Sequence, residues 1–308
     1  MSITLKNAFL AAIIIGLLSN GCTSASQKTA KDGPIRVLVV ETFLADITQN
    51  ITGDRLQVES LIPIGIDPHA YEPTPQDVSR IADSQLLIAN GAGFESWLSK
   101  TLENAGGQHV LLEASSGLVS RKTSSGELID PDHSGDPHFW LDPNYVIKYS
   151  ENIRDSLIKA DPAGAETYTK NATAYIQKLR ILDGWIREQT SSIPEKNRLL
   201  VTNHESLGYF ADRYGFTIIG TVIPSTSTEA SPSARQMVDL IDRIKKSGAK
   251  AIFLETGANP QMAEQIAKET GVKIVTDMYT HSITDASGAA PTYIEMMKHN
   301  VLLLQALK

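Results

Sequence analysis

The chain has 308 residues, enough for two domains of ordinary size or one large one. Its 42% hydrophobic and 20% charged residues give the composition of a soluble α/β protein with a normal core. The formal net charge of −7, with no dense run of Lys or Arg, excludes nucleic acid as partner, because counterion release needs a basic surface, and favours cations instead.

Lys6 precedes an apolar run from Ala8 to Leu18, too short to span a bilayer as a permanent helix and of the length of a secretory h-region. Residues 1–21 therefore read as a signal peptide, and the protein as exported to the periplasm or the outer face of the cytoplasmic membrane. Cys22 is the only cysteine, so no internal disulfide can form. Its setting, Leu18-Ser19-Asn20-Gly21-Cys22, resembles a bacterial lipobox with the leucine one place early, which makes Cys22 the lipidation site and anchors the chain to the membrane. Cleavage after Ala25, with Thr23 and Ala25 as the small residues, is the alternative. Residues 22–34, rich in Ser, Thr and Lys, read as a flexible tether.

From Ile35 onward short β-branched runs alternate with amphipathic stretches. Strands are expected at 35–40, 56–62, 86–90 and 110–112, with helices at 43–52, 75–84 and 95–105 between them. A second series places strands at 199–203, 217–222, 251–254 and 273–275 and helices at 207–214, 233–247, 260–270 and 292–306. Strand followed by helix, repeated, means parallel sheets flanked by helices, hence two similar α/β lobes, 35–162 and 194–308. Between them Tyr168, Ala172, Tyr175, Leu179, Leu182 and Ile186 step by three and four, one apolar stripe on a long helix over 163–193. Such a helix, roughly 40 Å long at 1.5 Å per residue, reads as a rigid link that permits little relative motion of the lobes. The stretch 114–135, rich in Ser, Gly and Asp, reads as a mobile surface loop.

Asp-Pro-His occurs twice, at Asp67-Pro68-His69 and Asp136-Pro137-His138. Proline fixes its own φ and biases the preceding residue to extended geometry, so each imidazole projects from a stiffened turn, as a preorganised metal ligand would. In open α/β sheets ligands bind at the carboxyl ends of the strands. His69, His138, His204 and His281 all fall on that side, two from each lobe, and form the expected metal site in the cleft between them. His109 precedes a strand and His299 lies within the last helix, so both read as surface or packing residues; His133 reads as part of the solvated loop. Four imidazoles make a nitrogen-only shell acceptable to Zn2+ and poorly suited to magnesium or calcium. Glu205, Asp277, Asp285, Asp67 and Asp136 are the nearby carboxylates that could enter that shell or orient an imidazole.

An enzyme reading finds little support. His204-Glu205 opens like a His-Glu-x-x-His signature, but the second His is replaced by Gly208. There is no Gly-x-Ser-x-Gly elbow or Walker loop, and a zinc closed by four histidines has no place for an activated water.

Four segments carry a family resemblance: Gly65-Ile66-Asp67-Pro68-His69-Ala70-Tyr71-Glu72-Pro73-Thr74-Pro75, the block from Asn90-Gly91 to Glu95-Ser96-Trp97-Leu98, Asp136-Pro137-His138-Phe139-Trp140-Leu141-Asp142-Pro143, and Thr202-Asn203-His204-Glu205-Ser206-Leu207-Gly208-Tyr209-Phe210. Over Ile35 to Lys308 the chain resembles the zinc- and manganese-binding substrate-binding proteins of bacterial ABC transporters. The resemblance implies two lobes joined by a long helix, docking to a membrane permease, and metal ligation by His69, His138 and His204. The fourth ligand of the family is generally an aspartate; here Tyr279-Thr280-His281-Ser282-Ile283 puts His281 in its place. Members with His at the third place resemble zinc binders and those with Glu tend to carry manganese or iron, which implies zinc first and Mn2+ or Fe2+ as alternatives. Copper and nickel also accept imidazole. The expectation is a monomeric carrier without enzymatic activity; any role in cell adhesion would overlay metal capture.

Overall fold

A computed structural model describes residues 34–121 and 135–308. The expected signal segment, Cys22, nearly all of the tether, and the part of the long loop containing Asp130, Asp132 and His133 lie outside these residues.

Two four-stranded parallel sheets form the framework. The first comprises β1 (Val37–Val39), β2 (Val58–Ser60), β3 (Leu86–Ala89) and β4 (Val110–Glu113) in the order β2-β1-β3-β4. The second comprises β5 (Leu199–Thr202), β6 (Thr217–Thr221), β7 (Ala251–Glu255) and β8 (Lys273–Met278) in the order β6-β5-β7-β8. The two orders are equivalent, so each sheet reverses its winding between its first and third strands. At such a reversal the flanking helices diverge and leave a crevice beyond the strand ends. Helices α1 (Thr42–Thr52), α2 (Pro75–Asp83) and α3 (Leu98–Ala105) cross over the first sheet. Helices α6 (Gly208–Tyr214), α7 (Ala234–Ser247), α8 (Gln261–Thr270) and α9 (Tyr293–Leu303) serve the second.

Helices α4 (Pro143–Ala160) and α5 (Ala165–Ser191) stand between the two series. The sequence reading gave α4 no element of its own. It starts where Asp142 accepts a hydrogen bond from the Asn144 amide and Pro143 occupies the first turn, where its missing N–H costs nothing. Val146, Tyr149, Ile153 and Leu157, three or four apart, turn its buried face inward.

Helix α5, 27 residues long, carries the expected stripe, and all six of its residues are at most 2% exposed. They belong to one apolar cluster that also contains Val37 and Leu86 from the first sheet and Leu200 and Phe253 from the second. The two lobes thus share a single interior. The outer faces of the sheets have smaller clusters of their own, around Leu38 and Leu87 in one case and Val201 and Ile252 in the other.

Leu179, fully buried in the middle of α5, has no room to be replaced by solvent. Leu179→Ala is expected to destabilise the fold by about 2–5 kcal/mol, the range for a leucine truncated in a packed core. Denaturant unfolding of the two proteins at matched conditions measures it, with a lowered midpoint and an unchanged slope as the expected result.

Candidate metal centre

Each imidazole of the site is set by its own local chemistry. In the first Asp-Pro-His the Asp67 carboxylate accepts the His69 amide at 3.0 Å, closing a turn around Pro68, and the Pro68 carbonyl accepts the Trp97 indole N–H at 3.0 Å. In the second, Asp136 accepts the His138 amide at 3.0 Å in the same way. The Asp136 carboxylate goes further, lying 2.8 Å from Nδ1 of the His138 ring. Asn90 donates to the Pro137 carbonyl and Tyr209 to the Asp136 carbonyl, at 3.1 and 2.6 Å. The repeat is therefore a repeated turn whose two carboxylates have diverged. Asp67 turns its second oxygen to the Thr228 hydroxyl, 2.6 Å away in the other lobe.

His204 follows β5 by two residues, and its carbonyl accepts the Thr202 hydroxyl. Its ring is fully buried with Nδ1 2.6 Å from Glu255 Oε1. Glu255 ends β7, the neighbour of β5, so the two residues face each other across the winding reversal of the second sheet.

His281 depends on an irregularity. The pairing of β7 with β8 shifts register between Phe253 and Glu255, and Asp277 there takes φ of 67°, a left-handed conformation uncommon outside glycine. The extra residue redirects the chain so that the segment after Met278 turns into the cleft. Backbone bonds then fix it. Asn300 on α9 accepts the Tyr279 amide at 2.9 Å and donates to the Tyr279 carbonyl at 2.6 Å. The Thr280 carbonyl accepts the Trp140 indole N–H at 2.7 Å, and Thr42 accepts the Ile283 amide at 3.1 Å. His299 sits 2.9 Å from the Asp277 carbonyl, so this residue braces the bulge from outside the site.

The four rings converge with their ligand atoms all within 4.8 Å of one another. His138 and His204 bring their Nε2 atoms to 3.2 Å, and the Nε2 atoms of His69 and His281 are buried without a hydrogen-bond partner. Four ligands at a zinc–nitrogen distance near 2.0 Å stand about 3.3 Å apart at the corners of a tetrahedron. The closest pair already has that spacing, and the two orphaned nitrogens are atoms for which burial without a partner is costly unless a cation occupies the space between them.

Burial, followed by the neighbouring imidazoles, holds His69 and His138 well below the usual histidine range, and burial lowers His281 to about 4. Burial pulls His204 down too, but the Glu255 carboxylate outweighs it and raises His204 overall, while Glu255 itself is held low chiefly by His204 against its own burial. Burial pushes Asp136 up to about 7. Burial thus favours the neutral form of three of the rings, the form that binds a metal, while the Glu255 carboxylate favours the protonated form of the fourth.

Other expected participants are placed elsewhere. The carboxylate against His204 is Glu255, not the adjoining Glu205, which lines a separate cavity with Arg121 and Asp212. Asp277 contributes its backbone, and its exposed carboxylate accepts the Thr276 hydroxyl. Asp67 and Asp136 do flank imidazoles, Asp67 at 3.9 Å from His281 Nδ1. Asp285 is exposed and accepts the Ser287 amide and hydroxyl. Where a His-Glu-x-x-His helix would place its second imidazole, a Cβ on Gly208 would lie 2.8 Å from Asp136 Oδ2 and overlap the Arg121 guanidinium, so no side chain fits. Glu255 and Asn300 were missed by the sequence reading; the available signal for Glu255 was its place at the end of a strand beside β5.

Two open α/β sheets facing each other across a cleft, with a cluster of inward imidazoles at their winding reversals and a shared interior, define a metal-binding receptor of the two-lobed periplasmic type. The family profile described as ZnuA, zinc-uptake complex component A, periplasmic, matches residues 37–306, and the chain belongs to this family. It is 36% identical over 290 residues to a manganese-binding lipoprotein, MntA, of Halalkalibacterium halodurans, covering 94% of each chain. It is 32% identical over 298 residues, 95% of this chain and 94% of the other, to an iron ABC transporter substrate-binding lipoprotein, MtsA, of Streptococcus pyogenes. Its fold superposes on the periplasmic zinc binding protein TroA from Treponema pallidum with a TM-score of 0.81 at 27% identity, covering 89% of this chain and 99% of that one. The protein is accordingly the substrate-binding component of a metal ABC transporter and not an enzyme.

Removing the charge behind His204 tests the electrostatics. Because Glu255 raises His204, protons compete with metal at a higher pH than they would for the ring alone; Glu255→Gln should move the onset of affinity loss to lower pH. Chelator competition between about pH 7.5 and pH 5.5 measures this, and an unshifted onset contradicts the assignment.

Proposed function

We propose that the protein captures zinc outside the cytoplasmic membrane through His69, His138, His204 and His281, and passes it to the membrane permease of its ABC transporter. The observation that carries the choice of metal is the all-nitrogen set of buried, inward-facing Nε2 atoms. Imidazole suits zinc, whereas manganese and calcium favour oxygen, and in the order of divalent affinities Mn2+ and Fe2+ stand below Zn2+ at a given nitrogen site. Asp136 is hydrogen-bonded to Nδ1 of His138, and the Glu255 carboxylate lies 2.6 Å from Nδ1 of His204; a carboxylate on that side of a ring strengthens Nε2 as a donor.

Manganese is the second reading, favoured by the 36% identity to a relative named for manganese. Capture takes place at the membrane surface, where a lipid on Cys22 and the tether of residues 22–34 hold a monomeric carrier close to the permease; the lipoprotein names of the relatives support this.

Elemental analysis of protein purified without added metal is expected to find zinc at one equivalent per chain, and a manganese-only preparation would overturn the zinc reading. His69→Ala and His204→Ala should each weaken zinc binding by orders of magnitude, while His109→Ala, at the other end of the sheet, should leave it unchanged. Isothermal titration against a competing chelator separates these outcomes. In cell fractionation Cys22→Ala is expected to move the protein from the membrane to the soluble fraction.

A further inference from the structure

The four imidazoles are sealed to different degrees. His138 and His204 are fully buried and His69 nearly so, but the His281 side chain, 9% exposed, forms part of the wall of a cavity of about 820 Å³ between the lobes. Glu255 reaches the same wall, and so does Asp67, whose side chain is 38% exposed. The exposed Glu229 and Asp285 line it as well. Among the described residues lining this cavity there are thus four carboxylates, spaced from the surface to the ligand shell, and no Lys or Arg. Hydrogen bonds from the Ser287 amide and hydroxyl hold Asp285 in its charged form. The Nε2 of His281 lies at the inner end, buried and without a partner.

We infer that this cavity is the route by which the divalent cation enters and leaves, that Glu229 and Asp285 draw the cation into it, and that the Asp67–Thr228 hydrogen bond is its gate. The inference rests on the proposed metal-capturing role of the four histidines. Like-signed carboxylates in a cleft with low-dielectric walls focus the field and raise the local cation concentration, which acts on the association rate more than on the bound state. The gate follows from position. Thr228 lies in the segment between β6 and α7, and its 2.6 Å bond to Asp67 joins that segment to the turn that presents His69, across the cavity. The facing wall is held by Asn300, Trp140 and Thr42 through the backbone around His281, whereas the segment bearing Thr228 is joined to the turn that presents His69 by the Asp67–Thr228 bond.

The test is stopped-flow mixing of the apo-protein with Zn2+, followed by tryptophan fluorescence, since Trp140 packs 5.1 Å from His138. Dissociation is measured by mixing the loaded protein with excess EDTA. The double variant Glu229→Gln, Asp285→Asn should associate several-fold more slowly at low ionic strength, with the difference fading at high salt and the dissociation rate unchanged. Glu103→Gln, on the outer face of α3, is the charge control and should behave as wild type. Thr228→Val should speed association and dissociation together and leave the equilibrium affinity near its wild-type value. Wild-type association in the double variant, or an affinity loss carried by dissociation, would overturn the route; unchanged rates in Thr228→Val would overturn the gate. Failure of the wild-type protein to bind Zn2+ or Mn2+ at all would instead overturn the metal-capturing role.

Discussion

Everything at this site follows from the need to hold four imidazoles desolvated and turned toward one point. A buried ring is cheap to keep neutral, but nothing in burial alone decides which nitrogen faces inward. That decision is made where a ring has a carboxylate behind it. Asp136 engages Nδ1 of His138, Glu255 stands against Nδ1 of His204, and the Nε2 atoms are left to meet at 3.2 Å. The same carboxylates return negative charge to a pocket that would otherwise have to hold a bare divalent cation in apolar surroundings. Phe94 and Trp140, packed edge-on or tilted against the rings, exclude the water that would compete for those nitrogens.

The framework delivers this arrangement through two equivalent windings. In each sheet the crevice opens beyond the first and third strands, and from it come His204 and Glu255 in one lobe and Glu41 and Asn90 in the other. The first lobe uses its crevice differently. Glu41 and Glu95 are both buried there and raised chiefly by burial, and Asn90 beside them binds the Pro137 carbonyl on the turn that presents His138. The histidines of that lobe therefore stand on loops propped from below, while His204 rises directly from a strand.

Much of this was legible in the sequence because strong periodicities and short motifs carry it. The α5 stripe, the βα alternation and the two Asp-Pro-His turns are local patterns, and the strand-end rule then picks out the four histidines that cluster without knowledge of contacts. What escaped was long-range. Glu255 closes an apolar strand, where a carboxylate reads as an exposed strand end; only the pairing of β7 with β5 brings it to His204. Asn300 lies in a helix twenty-one positions beyond Tyr279, and nothing in its neighbourhood announces that it completes the hydrogen bonds of a distant backbone. Helix α4 is hidden for another reason: Asp142-Pro143 closes the Asp-Pro-His motif and at the same time caps the helix that follows. Glu205 stands beside His204 in sequence as one of several candidate carboxylates, yet neighbouring residues beyond a strand point in different directions, and Glu205 lines a different cavity.

The shared interior around α5 has one more consequence, for how the filled protein can be told from the empty one. Receptors with separately packed halves announce their cargo by changing outline, as a jaw does on closing. Here the stripe from Tyr168 to Ile186 is embedded in one cluster with both sheets, and any wide opening would expose it to water. A shared interior of this kind leaves the rim of the cleft, its loops and side chains, as the part that can change without exposing the stripe. A permease that accepts only loaded carriers must then read fine surface relief, at close range, instead of overall shape.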